Sequence, residues 1–167
     1  PMNRFNVRKV AVLGAGVMGA QIAAHLVNVK VPVVLFDLPA KEGAKNGIVT
    51  KAIDGLKKLK PAPLGVAEDA SMIQAANYEE HLALLGECDL VIEAIAERMD
   101  WKLDLYKKIA PALAPHAIVA SNTSGLSNTC RWPRRTTSTM CGWTLTTARS
   151  RRPSTSSTAT WFSTWSW

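Results

Sequence analysis

The chain has 167 residues, 47% apolar and 20% charged, and 20 Lys and Arg against 13 Asp and Glu give a net charge of +7; this is enough apolar material for one ordinary domain and excludes collagen-like, coiled-coil and wholly disordered chains. No window approaches about 18 uninterrupted apolar residues, and the opening PMNRFNVRKV lacks the apolar core and cleavage site of a signal peptide, so neither a membrane span nor secretion is indicated and a cytoplasmic protein is expected. Three cysteines, Cys88, Cys130 and Cys141, are an odd number without C-x-x-C spacing, which argues against a disulfide framework or a zinc site and reads as free thiols, with no metal expected.

Lys9 to Leu13 is a short apolar run that ends in glycine, the pattern of a buried parallel strand. From Val17 to Val29, the residues Val17, Ile22, Ala23, Leu26 and Val27 recur at helical spacing, leaving Gln21, His25 and Asn28 for a polar side. Val31 to Phe36 is a second buried strand, entered through Pro32 and closed by Asp37. A lysine-bearing helix is expected from Lys41 to Leu59, stopping before Pro61-Ala62-Pro63.

A short strand near Ile73–Ala76 precedes a helical turn containing Glu79, Glu80 and Leu82, and Cys88 to Ala94 is the next strong strand. Asp100 reads as the N-cap of a helix whose residues Trp101, Leu105, Ile109 and Leu113 lie four apart, a stripe expected to pack in the core. Ala117 to Ala120 is a last buried strand delivering Ser121-Asn122-Thr123-Ser124-Gly125. Strands alternating with helices imply right-handed crossovers and an α/β fold of Rossmann type. Its parallel sheet would be doubly wound, with the ligand beyond the carboxyl ends of the strands.

Gly14-Ala15-Gly16-Val17-Met18-Gly19 is a G-x-G-x-x-G run between the first strand and the first helix. In that context Gly14 permits the tight turn, Gly16 lets backbone approach a pyrophosphate, and Gly19 brings helix and sheet together, while the helix N-terminus offers amides and a positive dipole end. Asp37, 18 residues beyond Gly19 at the end of the second strand, can accept hydrogen bonds from ribose hydroxyls. A carboxylate there repels a 2′-phosphate, so NAD is expected over NADP.

Three separated motifs, VLGAGVMGAQIA, DLVIEAIAERMDWK and VASNTSGLS, resemble the NAD-binding domain of L-3-hydroxyacyl-CoA dehydrogenases, including the multifunctional enzymes of fatty-acid oxidation, over about residues 7–127. The resemblance implies oxidation of the 3-hydroxyl of an acyl-CoA with NAD as hydride acceptor, a step of β-oxidation. It further implies that Gly14, Ala15, Gly16, Val17, Met18, Gly19 and Asp37 meet NAD, as do Ala94, Ile95, Ala96 and Glu97, with Lys102 five residues later. Ser124 would hydrogen-bond the substrate oxygen, serving cofactor and catalysis alike, and Asn122 would shape the loop near the nicotinamide. Lys51 and Lys58 would meet CoA phosphates, or form a solvated helix face.

The family's base is a histidine paired with a glutamate, and no histidine follows His116 here; His116 reads as a surface residue, as do His25 and His81. The family's helical C-terminal domain, which closes over the substrate and makes its homodimer, is also missing from these residues, so the chain is expected to bind NAD yet be inactive alone. Alternatives are a non-catalytic NAD-binding module and another NAD-dependent 3-hydroxyacid dehydrogenase.

Residues 129–167 differ in kind from residues 7–128, read as the NAD-binding domain. They hold six Arg, no Lys, no acid, eleven Thr, seven Ser and five of the six Trp, whereas the first 128 residues carry a net charge of +1. A nucleic-acid-binding arm of Arg and Trp is one reading and a low-complexity tail another, but five Trp fit the second poorly. The composition matches a GC-rich coding strand translated out of frame, and no nucleic-acid partner is expected.

Overall fold

In the computed structural model, residues 6–122 and 140–142 are described. Six parallel strands are laid out in the order β3-β2-β1-β4-β5-β6, comprising β1 (Val10–Leu13), β2 (Val33–Asp37), β3 (Ile73–Asn77), β4 (Leu90–Glu93), β5 (Ile118–Ser121) and β6 (Met140–Gly142). The chain winds outward from β1 through β2 to β3, then returns to β4 on the other side of β1. The switch in direction therefore lies between β1 and its two neighbours, the place where such sheets bind ligands.

Alternation along β1 explains the two layers. Val10 and Val12 face one way, joining Ala23, Ala24 and Val27 of α1 (Val17–Asn28) and Val49 and Leu56 of α2 (Gly47–Leu56). Ala11 and Leu13 face the other way, joining Leu105, Tyr106 and Ile109 of α3 (Met99–Ile109). All four β1 side chains are buried, as a central parallel strand requires.

Registers align the strand ends. Leu13 pairs with both Phe36 and Glu93, Asp37 with Asn77, and Glu93 with Ser121, so the segments after β1, β2, β4 and β5 emerge at one level. At the opposite end, Asp89 ties three segments together. Its carboxylate accepts hydrogen bonds from the Arg8 amide and guanidinium, at 2.8, 3.0 and 3.3 Å, and lies 2.9 Å from His116 Nε2. His116 is exposed, as expected, but it is also a partner of this buried carboxylate. His25 is exposed and His81 half-buried, its Nδ1 3.3 Å from the Asn77 amide.

Three expectations are corrected. The second helix starts at Gly47 rather than Lys41, because Gly43 adopts φ +79°, outside the helical region, and Asn46 supplies the N-cap position; it ends at Leu56, not Leu59. In α1 the buried face is Gly19, Ala20, Ala23, Ala24 and Val27, while Val17 is 76% exposed. In α3 the N-cap is Arg98 and the inward face is Lys102, Leu105, Tyr106 and Ile109; Trp101 is 51% exposed, and Leu113 lies beyond the helix. Residues three or four positions from Leu105 lie near its face; Lys102, Tyr106 and Ile109 centre that face on the sheet, which leaves Trp101 at its edge, bordering the crevice.

The sheet reaches past residue 128, since β6 pairs with β5 through Val119–Met140, Ala120–Cys141 and Ser121–Gly142. The other residues of the 129–167 segment, Cys130 among them, lie outside the described residues. Cys88 is a free, buried thiol, and burial pushes its pKa up to about 11. Among the described residues, no helix is long and apolar enough to cross a membrane.

Candidate functional site

The turn after β1 is shaped by contacts that exclude side chains. Gly14 has φ +105°, and a Cβ there would sit 2.8 Å from the Ala94 carbonyl oxygen. A Cβ on Gly19 would fall 1.8 Å from the Gly14 carbonyl oxygen, so α1 crosses the turn at a distance that glycine alone allows. Gly16 is different. A Cβ there meets nothing within 4 Å, so the protein itself does not demand glycine at this position; the open space lies at the start of α1.

Gly16 is the N-cap of α1 and no side chain caps the helix. The first-turn amides of a helix have no partner within it, and they carry the positive end of its dipole. Val17 and Met18, 76% and 54% exposed, stand at this end. An anionic group with several acceptor oxygens is what such an end holds best.

Asp37, half-buried at the end of β2, lies directly across the turn. Its Oδ2 accepts from the Ala15 amide at 2.7 Å and its Oδ1 from the Leu38 amide at 2.7 Å. The carboxylate is thus fixed beside the glycine turn, with remaining lone pairs for a vicinal diol.

A crevice of about 480 Å³ opens here, bounded by Gly14, Gly16, Asp37, Ile95, Trp101 and Lys108. This volume suits a small-molecule site. Tyr78 forms part of its floor, stacked on Phe36 with centroids 5.8 Å apart and planes 15° apart. The Tyr78 hydroxyl is buried beside the Gly14 backbone, and burial raises its pKa well above the ordinary phenol value. On the facing wall the Arg98 guanidinium lies 4.5 Å from the centre of the Trp101 ring, and Arg98 also pairs with Asp100 at 2.7 Å.

The opposite loops complete the site. Ala94, Ile95 and Ala96 line the crevice, Glu97 is exposed next to them, and Asn122 follows β5, its amide donating to the Glu93 carbonyl at 2.8 Å. Gly14, Gly16, Asp37, Ala94, Ile95 and Ala96 are therefore gathered around one cavity. Ser124 lies outside the described residues. Lys51 and Lys58 are exposed on or beside α2.

Lys102 departs from its expected place. Instead of facing the crevice, it is 2% exposed and its Nζ donates to Glu93 Oε2 at 2.5 Å. The physical reason is its position on the inward face of α3, where a buried carboxylate takes up its charge. Sequence reasoning also missed Tyr78, Trp101 and Glu93. A signal existed for Glu93: an acid ending an apolar strand run, as Asp37 does in β2, with no turn residue to explain it.

These features meet the requirements of a dinucleotide. The open space at Gly16, the uncapped helix start, a carboxylate on the same rim and a buried tyrosine in the floor are one set of complementary groups.

Comparison with known proteins agrees. Residues 9–130 match the model of the family described as 3-hydroxyacyl-CoA dehydrogenase, NAD binding domain. The protein named as fatty acid oxidation complex trifunctional enzyme in Rickettsia felis is 46% identical over 121 residues, covering 72% of this chain and 17% of that protein. A 3-hydroxybutyryl-CoA dehydrogenase of Bradyrhizobium diazoefficiens is 38% identical over 128 residues, 74% of this chain and 42% of that one. Among solved structures, 3-hydroxybutyryl-CoA dehydrogenase from Escherichia coli aligns with a TM-score of 0.59 and 30% identity, over 72% of this chain and 25% of that one. The chain thus spans less than half the length of each of these relatives.

Proposed function

Because this chain belongs to the 3-hydroxyacyl-CoA dehydrogenase family through its NAD-binding domain, we propose that it provides the cofactor site for oxidation of (S)-3-hydroxyacyl-CoA to 3-oxoacyl-CoA, as in fatty-acid β-oxidation. When bound, NAD supplies a hydride acceptor at its nicotinamide ring. The amides at the start of α1, reached over Gly16, hold the diphosphate; Asp37 accepts from the ribose hydroxyls; Ala94 to Ala96 and Glu97 flank the remainder, and Asn122 stands at the nicotinamide end. Ser124 takes the substrate oxygen in this reading. Lys102 supports from behind rather than touching the cofactor.

The observation that carries the proposal is the open space at Gly16 facing an uncapped helix start, 2.7 Å-tethered Asp37 beside it. Removing a proton from the substrate hydroxyl needs a base near the nicotinamide; His116 pairs with Asp89 at the other end of the sheet, His25 is exposed on α1, and His81 accepts from the Asn77 amide at the end of the edge strand β3, away from β4 and β5. We therefore assign cofactor binding to this chain, and the proton-accepting histidine to no residue of it.

The test is a pair of measurements on the purified chain, NADH binding by fluorescence and NADH oxidation with acetoacetyl-CoA. Binding without turnover is expected. Turnover at rates typical of dehydrogenases, about 1–1,000 per second, would show that a base is present after all.

A further inference from the structure

Glu93 is fully buried at the end of β4, and its carboxylate is turned behind the crevice wall rather than into the crevice. Oε1 accepts from the Ile95 amide at 2.9 Å. Oε2 accepts from Lys102 Nζ at 2.5 Å, the Tyr106 hydroxyl at 2.9 Å and Ser121 Oγ at 2.6 Å. The Glu93 main-chain carbonyl accepts from the Asn122 amide at 2.8 Å.

One residue thus joins the loop after β4, helix α3 and the end of β5. The first two of these segments line the crevice, and β5 is the strand paired with β4 beside them. Ile95 lines the crevice directly, and Lys102 and Tyr106 immediately follow Trp101 and Leu105, which form its α3 side. Asn122 directly follows β5. A shift of the carboxylate would move all three segments relative to the glycine turn, which is joined to the β4 loop by the Ala94 amide donating to the Leu13 carbonyl at 2.8 Å.

Burying a carboxylate and an ammonium together adds little net stability over apolar residues of equal volume, because desolvation cancels most of their attraction. What four directional donors on one carboxylate do add is geometry. We propose that Glu93 is a positioning residue for the cofactor: it never touches NAD, yet it sets the spacing between the β4 loop and the α3 wall that NAD lies against, and ties both to the end of β5. The inference rests on the reading that this crevice holds NAD.

Replacing Glu93 itself would strand a buried lysine, so the hydroxyl donors provide the test. In the full chain, Tyr106→Phe and Ser121→Ala each delete one donor, and Ser121→Thr keeps it. NADH affinity and melting temperature are measured for each. Tyr106→Phe and Ser121→Ala should weaken NADH binding roughly 3- to 30-fold, the scale on which small misplacements act in preorganised sites, and Ser121→Thr should restore it. Lower melting temperatures with unchanged NADH affinity would assign the cluster to stability alone and overturn the proposal. Failure of the unsubstituted chain to bind NADH would remove the cofactor reading itself, an outcome separate from the other two.

Discussion

The three glycines of the turn do different jobs, and substitution separates them. Gly14 and Gly19 are demanded by the fold, since a Cβ at either would sit within 2.8 Å of a carbonyl oxygen. Gly16 is demanded by nothing in the protein. Gly16→Val should therefore leave the melting temperature within a few degrees of the parent while reducing NADH affinity by roughly 100-fold or more, because the branched side chain occupies the phosphate position. Gly19→Ala should do the reverse in kind, lowering the melting temperature first. Thermal melts beside NADH titrations check both. Asp37→Ala should weaken NADH binding roughly tenfold, the value of a hydrogen bond to a charged group, and narrow the gap to NADPH; unchanged ratios would remove Asp37 from the sugar. The glycine pattern and Asp37 were legible in the sequence because local chain geometry requires them at fixed spacing. Tyr78, Trp101 and Glu93 were not, because their roles depend on which strands and helices become neighbours.

At the scale of elements, β1, β2, β4 and β5 could be read from apolar runs to within two residues or so, since a strand buried on both faces leaves little freedom in composition. Helix edges were harder. The Lys41–Asn46 stretch carries helix-forming residues, but Gly43 at φ +79° breaks it, and nothing local predicts that conformation. The four-residue spacing of Trp101 with Leu105 was genuine, yet α3 turns that edge toward the crevice and buries Lys102 instead. The Asp89 clasp at the far end of the sheet has a pH consequence. Hydrogen bonds from Arg8 and then His116 hold the Asp89 carboxyl well below the usual carboxylate range. A carboxyl whose folded pKa is depressed stabilises the fold above its unfolded value of about 3.9 and loses that contribution as pH falls below it. Melting temperature should thus drop between about pH 4 and pH 2, and Asp89→Asn should lower it at pH 7 while flattening that acid limb. An acid limb unchanged by Asp89→Asn would show that other carboxylates control it.

For the molecule as a whole, the sheet order and the aligned strand ends gather the glycine turn, Asp37 and the segment after β4 around one crevice. The basic excess and five of the six Trp belong to residues 129–167, a segment with six Arg and no Lys or acid. We propose that the segment from about residue 129 is a translation out of frame, and nucleotide sequencing through those codons should reveal a single-base insertion or deletion whose repair restores an ordinary composition; an intact frame would reject this. One interaction matters above the others, the proposed seating of a dinucleotide between the β1 turn and Asp37. Titration calorimetry of the chain with NADH should give one site per chain with a dissociation constant in the micromolar range and much weaker heat with NADPH. No heat with NADH at millimolar concentration, from folded protein, would contradict it.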